Sequence, residues 1–163
     1  FASTIKQAFK TAPQVDYNQE QAMNKAILSA NQQNITNAVH DISQGGIWQA
    51  IIEMIGGDRN YPFVGVDLTI PDSMDPITVL FSESGGYVCE VLNENYDEFL
   101  NICNTYKAPI FDLGKTTSEM QVSIQQAQQS LVSVSVNDCL SVWNSKNIET
   151  PGTAIYNESI KKK

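Results

Sequence analysis

The chain has 163 residues, of which 42% are hydrophobic and 17% charged, a composition that suits one globular domain and excludes a disordered tract. Its net charge of -8, from 10 Lys+Arg against 18 Asp+Glu, repels phosphate backbones and argues against a nucleic-acid role. No apolar run approaches the roughly 18 residues of a membrane span, which argues against a membrane role. Cys89, Cys103 and Cys139 form neither a CxxC nor a pair with histidine at metal-ligand spacing, so small buried thiols in a reducing compartment are expected. The opening Phe1-Ala2-Ser3-Thr4 is not a signal peptide and no initiator Met is present; an excised domain or processed chain, cytoplasmic in location, is the expectation.

Residues 1–13 lack periodicity and end at Pro13, which reads as a leading linker. From Asn18 to about Asn31, Ala22, Met23, Ala26, Ile27 and Ala30 form the apolar stripe of a helix. Ile35 to Val39 is a strand candidate running into His40-Asp41-Ile42-Ser43-Gln44-Gly45-Gly46. A helix over Ile47 to Ile55 follows, apolar on nearly every side and therefore expected between layers, with Gly56-Gly57 to stop it. Phe63 to Ile70 alternates as a strand should. Ile77 to Phe81 and Tyr87 to Leu92 are β-branched or aromatic runs flanking Ser82-Glu83-Ser84-Gly85-Gly86, which predicts two strands and a turn. Tyr96, Phe99, Leu100, Cys103 and Tyr106 recur at helical spacing. Ile110 to Leu113, Met120 to Ile124 and Leu131 to Val136 are further strand candidates, with Gln125 to Ser130 as a hairpin connection. Asn137 suits the cap of a short last helix carrying Leu140 and Trp143. Residues 146–163 are polar, hold Pro151-Gly152, end on Lys161-Lys162-Lys163, and read as a tail. The expected fold is α/β, of α+β character: a mixed sheet of about six strands covered by helices, over residues 14–145.

Two constellations could carry chemistry. His40-Asp41-Ile42-Ser43-Gln44-Gly45-Gly46-Ile47 places a strand, a polar turn, two glycines and a helix start in succession, where backbone N–H groups could face an anion. His40 and Asp41 could add proton transfer or orientation. The segment lacks the lysine of a phosphate loop and the spacing of a dinucleotide fingerprint. The alternative is that Gly45-Gly46 permits close strand-to-helix packing while His40 and Asp41 bond neighbouring backbone. In Leu80-Phe81-Ser82-Glu83-Ser84-Gly85-Gly86 a carboxylate between hydroxyls could accept substrate hydrogens; the alternative is a turn with Glu83 in solvent. No nucleophile pattern is present, and one histidine excludes a multi-His metal site. Asp72 and Asp75 read as turn residues. No catalytic residue and no metal ligand is therefore assigned.

Taken in order, Ala38-Val39-His40-Asp41-Ile42-Ser43-Gln44-Gly45-Gly46-Ile47, Glu53-Met54 and Leu80-Phe81-Ser82-Glu83-Ser84 resemble the C-terminal half of the formylglycinamide ribonucleotide amidotransferase family. Pro13-Gln14-Val15-Asp16, the strand at Tyr87 to Val91, Pro109-Ile110, and Trp143 fit the same layout. Variants of the HDxSxGG motif also occur in aminoimidazole ribonucleotide synthase, selenophosphate synthetase and thiamine monophosphate kinase; the FSES segment narrows the match. Two departures stand out: Gln44 replaces the family's second Asp, and Gly85-Gly86-Tyr87 follows Ser84.

The resemblance implies an aminoimidazole ribonucleotide synthase C-terminal-type domain of an ATP-dependent C–N ligase of purine synthesis, which turns formylglycinamide ribonucleotide into its amidine. It implies ATP and Mg2+ for the intact enzyme, held mostly by N-type domains, with neither bound tightly by this domain alone. Its partners would be the N-type ATP-binding domain and a glutaminase domain or subunit that supplies ammonia. By the family's pattern, His40, Asp41, Ser43, Gly45, Gly46, Ser82, Glu83 and Ser84 are the ligand-binding candidates, Ser82-Glu83-Ser84 being expected as structural or at a pseudo-symmetric auxiliary site, with the isolated domain inactive. Another superfamily member of the aminoimidazole ribonucleotide synthase type, or a free-standing binding module, are the alternatives.

Overall fold

A computed structural model describes residues 15–57 and 64–144. The expected linker and tail, and Phe63 at the head of a predicted strand, lie outside those residues. Asp16 opens the first helix, α1 (Tyr17–Gln32), with its carboxylate accepting from the Asn18 and Gln19 amides at 2.9 and 3.2 Å. Next come β1 (Thr36–Asp41), α2 (Gly46–Gly56) and β2 (Gly65–Thr69). They are followed by α3 (Pro76–Phe81), β3 (Tyr87–Val91), a 3-10 turn at Asn93–Asn95, and α4 (Tyr96–Tyr106). The last elements are β4 (Gly114–Thr117), β5 (Gln121–Gln126), β6 (Gln129–Ser135) and α5 (Val136–Asn144).

The fold is mixed α/β, as expected, and its six strands among the described residues divide into two sheets. β1 pairs antiparallel with β3, with His40 opposite Val88. The other four lie in the order β4-β2-β5-β6, where β2 runs parallel to β5 and antiparallel to β4. Period-two alternation sends Val66, Leu68, Val122 and Ile124 to one face, where they meet Ile51, Ile52 and Ile55 of α2, Leu80 of α3, and Val136 and Leu140 of α5. A second cluster joins Ala26 and Ala30 of α1 to Phe99, Ile102 and Cys103 of α4, with Ile35 beside them. The β1–β3 ribbon lies between: Val88 packs on the first cluster, Cys89 and Val91 on the second.

Four local expectations are corrected. Residues 77–81 form a helix because Asp75 caps it, accepting from the Thr78 amide at 2.8 Å and hydroxyl at 2.7 Å, with Pro76 at its first turn. These bonds favour the charged carboxylate and hold the Asp75 pKa below its ordinary 3.8. The strand expected at 110–113 forms instead at Gly114–Thr117, leaving Phe111 64% exposed. The hairpin connection is shorter than Gln125 to Ser130: Ala127 and Gln128, at φ 50 and 62°, make the turn, and the flanking glutamines belong to strands. The last helix begins at Val136, and Ser135 rather than Asn137 serves its start, its hydroxyl accepting from the Asp138 amide at 3.1 Å.

All three cysteines are free, as expected. Burial, with the neighbouring Cys103, pushes the Cys89 thiol up to about 12, and burial raises Cys103 and Cys139 as well. Thiols held protonated in apolar surroundings are poor nucleophiles and fit a packing role.

Candidate functional site

The fold brings the two motif segments together. β1 carries the chain into the Ile42–Gly45 turn, and α3 delivers Ser82–Gly86 beside it. The Ile42 amide donates to the Gly86 carbonyl at 2.9 Å, which extends the β1–β3 pairing by one bond. Gly45 and Gly46 both have positive φ, 84 and 69°. At Gly46 a Cβ would lie 2.6 Å from the Leu80 carbonyl oxygen and 2.8 Å from the Phe81 Cα, so only glycine lets α2 start against the end of α3. This matches the close-packing alternative for Gly45-Gly46, except that the neighbour is the end of a helix.

Glu83 is exposed, as in the turn alternative, but it also bonds within the protein. Its Oε1 accepts from the Gly45 amide at 2.9 Å, across 38 residues of sequence. A carboxylate of the protein itself thus sits at the N-terminus of α2, where the helix dipole favours negative charge. Ser82 and Ser84 hydrogen-bond each other through their hydroxyls. The Ser43 carbonyl accepts from the Gly46 amide at 3.1 Å, and the Ser43 and Gln44 side chains are exposed.

His40 sits on the ribbon face that looks toward α2. Its Nδ1 is 2.7 Å from the Asp41 carbonyl oxygen, and its Nε2 is 3.0 Å from Glu53 Oε2. The exposed Asp41 carboxylate lies farther off, 3.7 Å from Nδ1. Glu53 Oε1 accepts from Gln49 Nε2 at 2.8 Å. Gln49 in turn packs under the turn, for a Cβ on Gly45 would lie 2.7 Å from its Cβ. On the other side, Tyr87 Oη donates to Asn24 Oδ1 of α1 at 2.6 Å.

Glu53 and Gln49 had no part in the site expected from the motifs. Two signals were available: Glu53 belongs to the Glu53-Met54 segment of the resemblance, and Gln49 lies four residues before it on an otherwise apolar helix, so the two share one face. Among the described residues no group of three His, Cys, Asp or Glu side chains could hold a metal ion. No helix of those residues is long and apolar enough to cross a membrane.

The chain's residues 1–126 match the family described as AIR synthase related protein, C-terminal domain. A curated relative, phosphoribosylformylglycinamidine synthase subunit PurL of Streptomyces avermitilis, is 32% identical over 105 residues, covering 63% of this chain and 13% of the relative. The fold is similar to that of T. maritima PurL complexed with ADP, at a TM-score of 0.67, 16% identity, and coverage of 80% of this chain and 23% of that one. T. maritima PurL complexed with FGAR gives a TM-score of 0.64 at 16% identity, covering 74% of this chain and 20% of that one. The chain thus spans 13% of the length of the Streptomyces relative. With 126 of its 163 residues matched, the chain belongs to the AIR synthase related protein C-terminal domain family, as its HDxSxGG and FSES segments implied.

Proposed function

We propose that this chain is the C-terminal domain of a phosphoribosylformylglycinamidine synthase, the ATP-dependent C–N ligase that converts formylglycinamide ribonucleotide to its amidine in purine synthesis. In that enzyme ATP and Mg2+ belong to the N-type domains, a glutaminase domain or subunit supplies ammonia, and this domain packs as scaffold in the cytoplasm. The likeness to PurL relatives supports the family of reaction. The observation that carries the scaffold role is Glu83 on the Gly45 amide: a phosphate brought to the start of α2 would meet a carboxylate already bonded there. His40, Asp41, Ser43, Gly45, Gly46, Ser82, Glu83 and Ser84 act in this reading as a joint between β1, α2 and α3.

The test is an assay of the purified chain for ATP-dependent amidine formation with formylglycinamide ribonucleotide and ammonium. No turnover is expected. Turnover by this chain alone would overturn the scaffold role.

A further inference from the structure

We propose that His40 is a positioning residue for the Gly45–Gly46 turn, donating from both ring nitrogens so that Glu53 and Gln49 are held against it. Both nitrogens face oxygens that can only accept: the Asp41 carbonyl at 2.7 Å and the Glu53 carboxylate at 3.0 Å. A neutral imidazole has one N–H and one lone pair, and here the lone pair would point at an oxygen. The doubly donating ring satisfies both contacts. Across the ribbon the opposite residue is Val88, which offers no competing polar group.

The bonds form a chain with a defined end. Glu53 uses one oxygen for His40 and the other for Gln49. Gln49 then supports Gly45 from below, while Glu83 holds the Gly45 amide from outside. The His40 and Glu53 side chains are 28% and 30% exposed, so water screens the pair only in part. Charge-assisted hydrogen bonds of this kind exceed neutral ones in strength. The strut therefore fixes the start of α2 relative to β1.

Glu53→Gln is the informative variant, because it keeps the shape while removing the carboxylate charge and one acceptor oxygen. A glutamine at 53 still offers an oxygen to the ring but carries no charge, so the bond from a doubly donating His40 weakens. With a neutral His40 whose lone pair faces residue 53, the new amide would instead donate to it and the site would tighten. Amide hydrogen exchange read residue by residue separates the two cases. The expected result is exchange at Gly45 and Gly46 faster by about tenfold, the loss of one charged hydrogen bond, with Ile124 in β5 unchanged. His40→Gln, which cannot bridge both acceptors, should match it. Unchanged or slower exchange at Gly45 in Glu53→Gln would overturn the proposal. An equal acceleration at Ile124 would overturn it too, since that reports general loss of stability and not positioning.

Discussion

The core under the four-stranded sheet and the joint around Gly45 are built on opposite rules. The core is filled by branched aliphatic side chains, with Val122, Ile124, Ile70 and Val136 almost fully enclosed. Its stability depends on volume, and any well-shaped apolar set of equal size would serve. The joint contains almost no apolar volume. Two glycines with positive φ, a carboxylate on a backbone amide and a histidine on a glutamate hold it. There the conformation allowed to each residue matters more than its size. The joint is thus fixed by backbone geometry, and the core by volume.

That contrast can be broken at either end. Ile124→Ala removes buried methyl groups from a site 1% exposed. It should cost about 3 kcal/mol, the largest effect expected here, read as a fall in the denaturation midpoint with an unchanged denaturant slope. Ile124→Val should cost about a third of that. Gly46→Ala adds a single carbon yet forces a residue at φ 69° against the Leu80 carbonyl. It should cost about 2 kcal/mol from strain, and the equally small Ala50→Gly in α2 about 1 kcal/mol from helix propensity and lost packing. If Gly46→Ala proved neutral, the close approach of α2 to α3 would not be what holds the joint.

Much of this was legible in the sequence, for reasons that differ by element. α1 and α4 announce themselves through stripes at helical spacing, and β5 and β6 through alternation that survives one bulge between Ile124 and Gln125. Ile77 to Phe81 has the composition of a strand, but the Asp75-Pro76 cap starts a helix one residue earlier and outweighs it. The expected strand at 110–113 gave way to β4, because β2 finds its partner through Lys115 opposite Asp67 and Gly114 opposite Leu68. The two motif segments were visible as glycine and hydroxyl clusters, and their meeting was not. Gly45 and Glu83 bond across 38 residues, and no local period encodes such a pair. His40 and Glu53 were hidden similarly, since one belongs to a strand and the other to a helix that reads as apolar.

The scaffold role requires the α2 N-terminus to be occupied by the chain's own carboxylate. The most direct measurement is titration of the isolated chain with ADP and Mg2+, following the amide resonances of Gly45, Gly46 and Ile47. They are predicted to stay in place through millimolar nucleotide, because Glu83 already takes the Gly45 amide. Saturable shifts confined to these three amides, abolished by Gly46→Ala, would contradict it and make the turn a phosphate site.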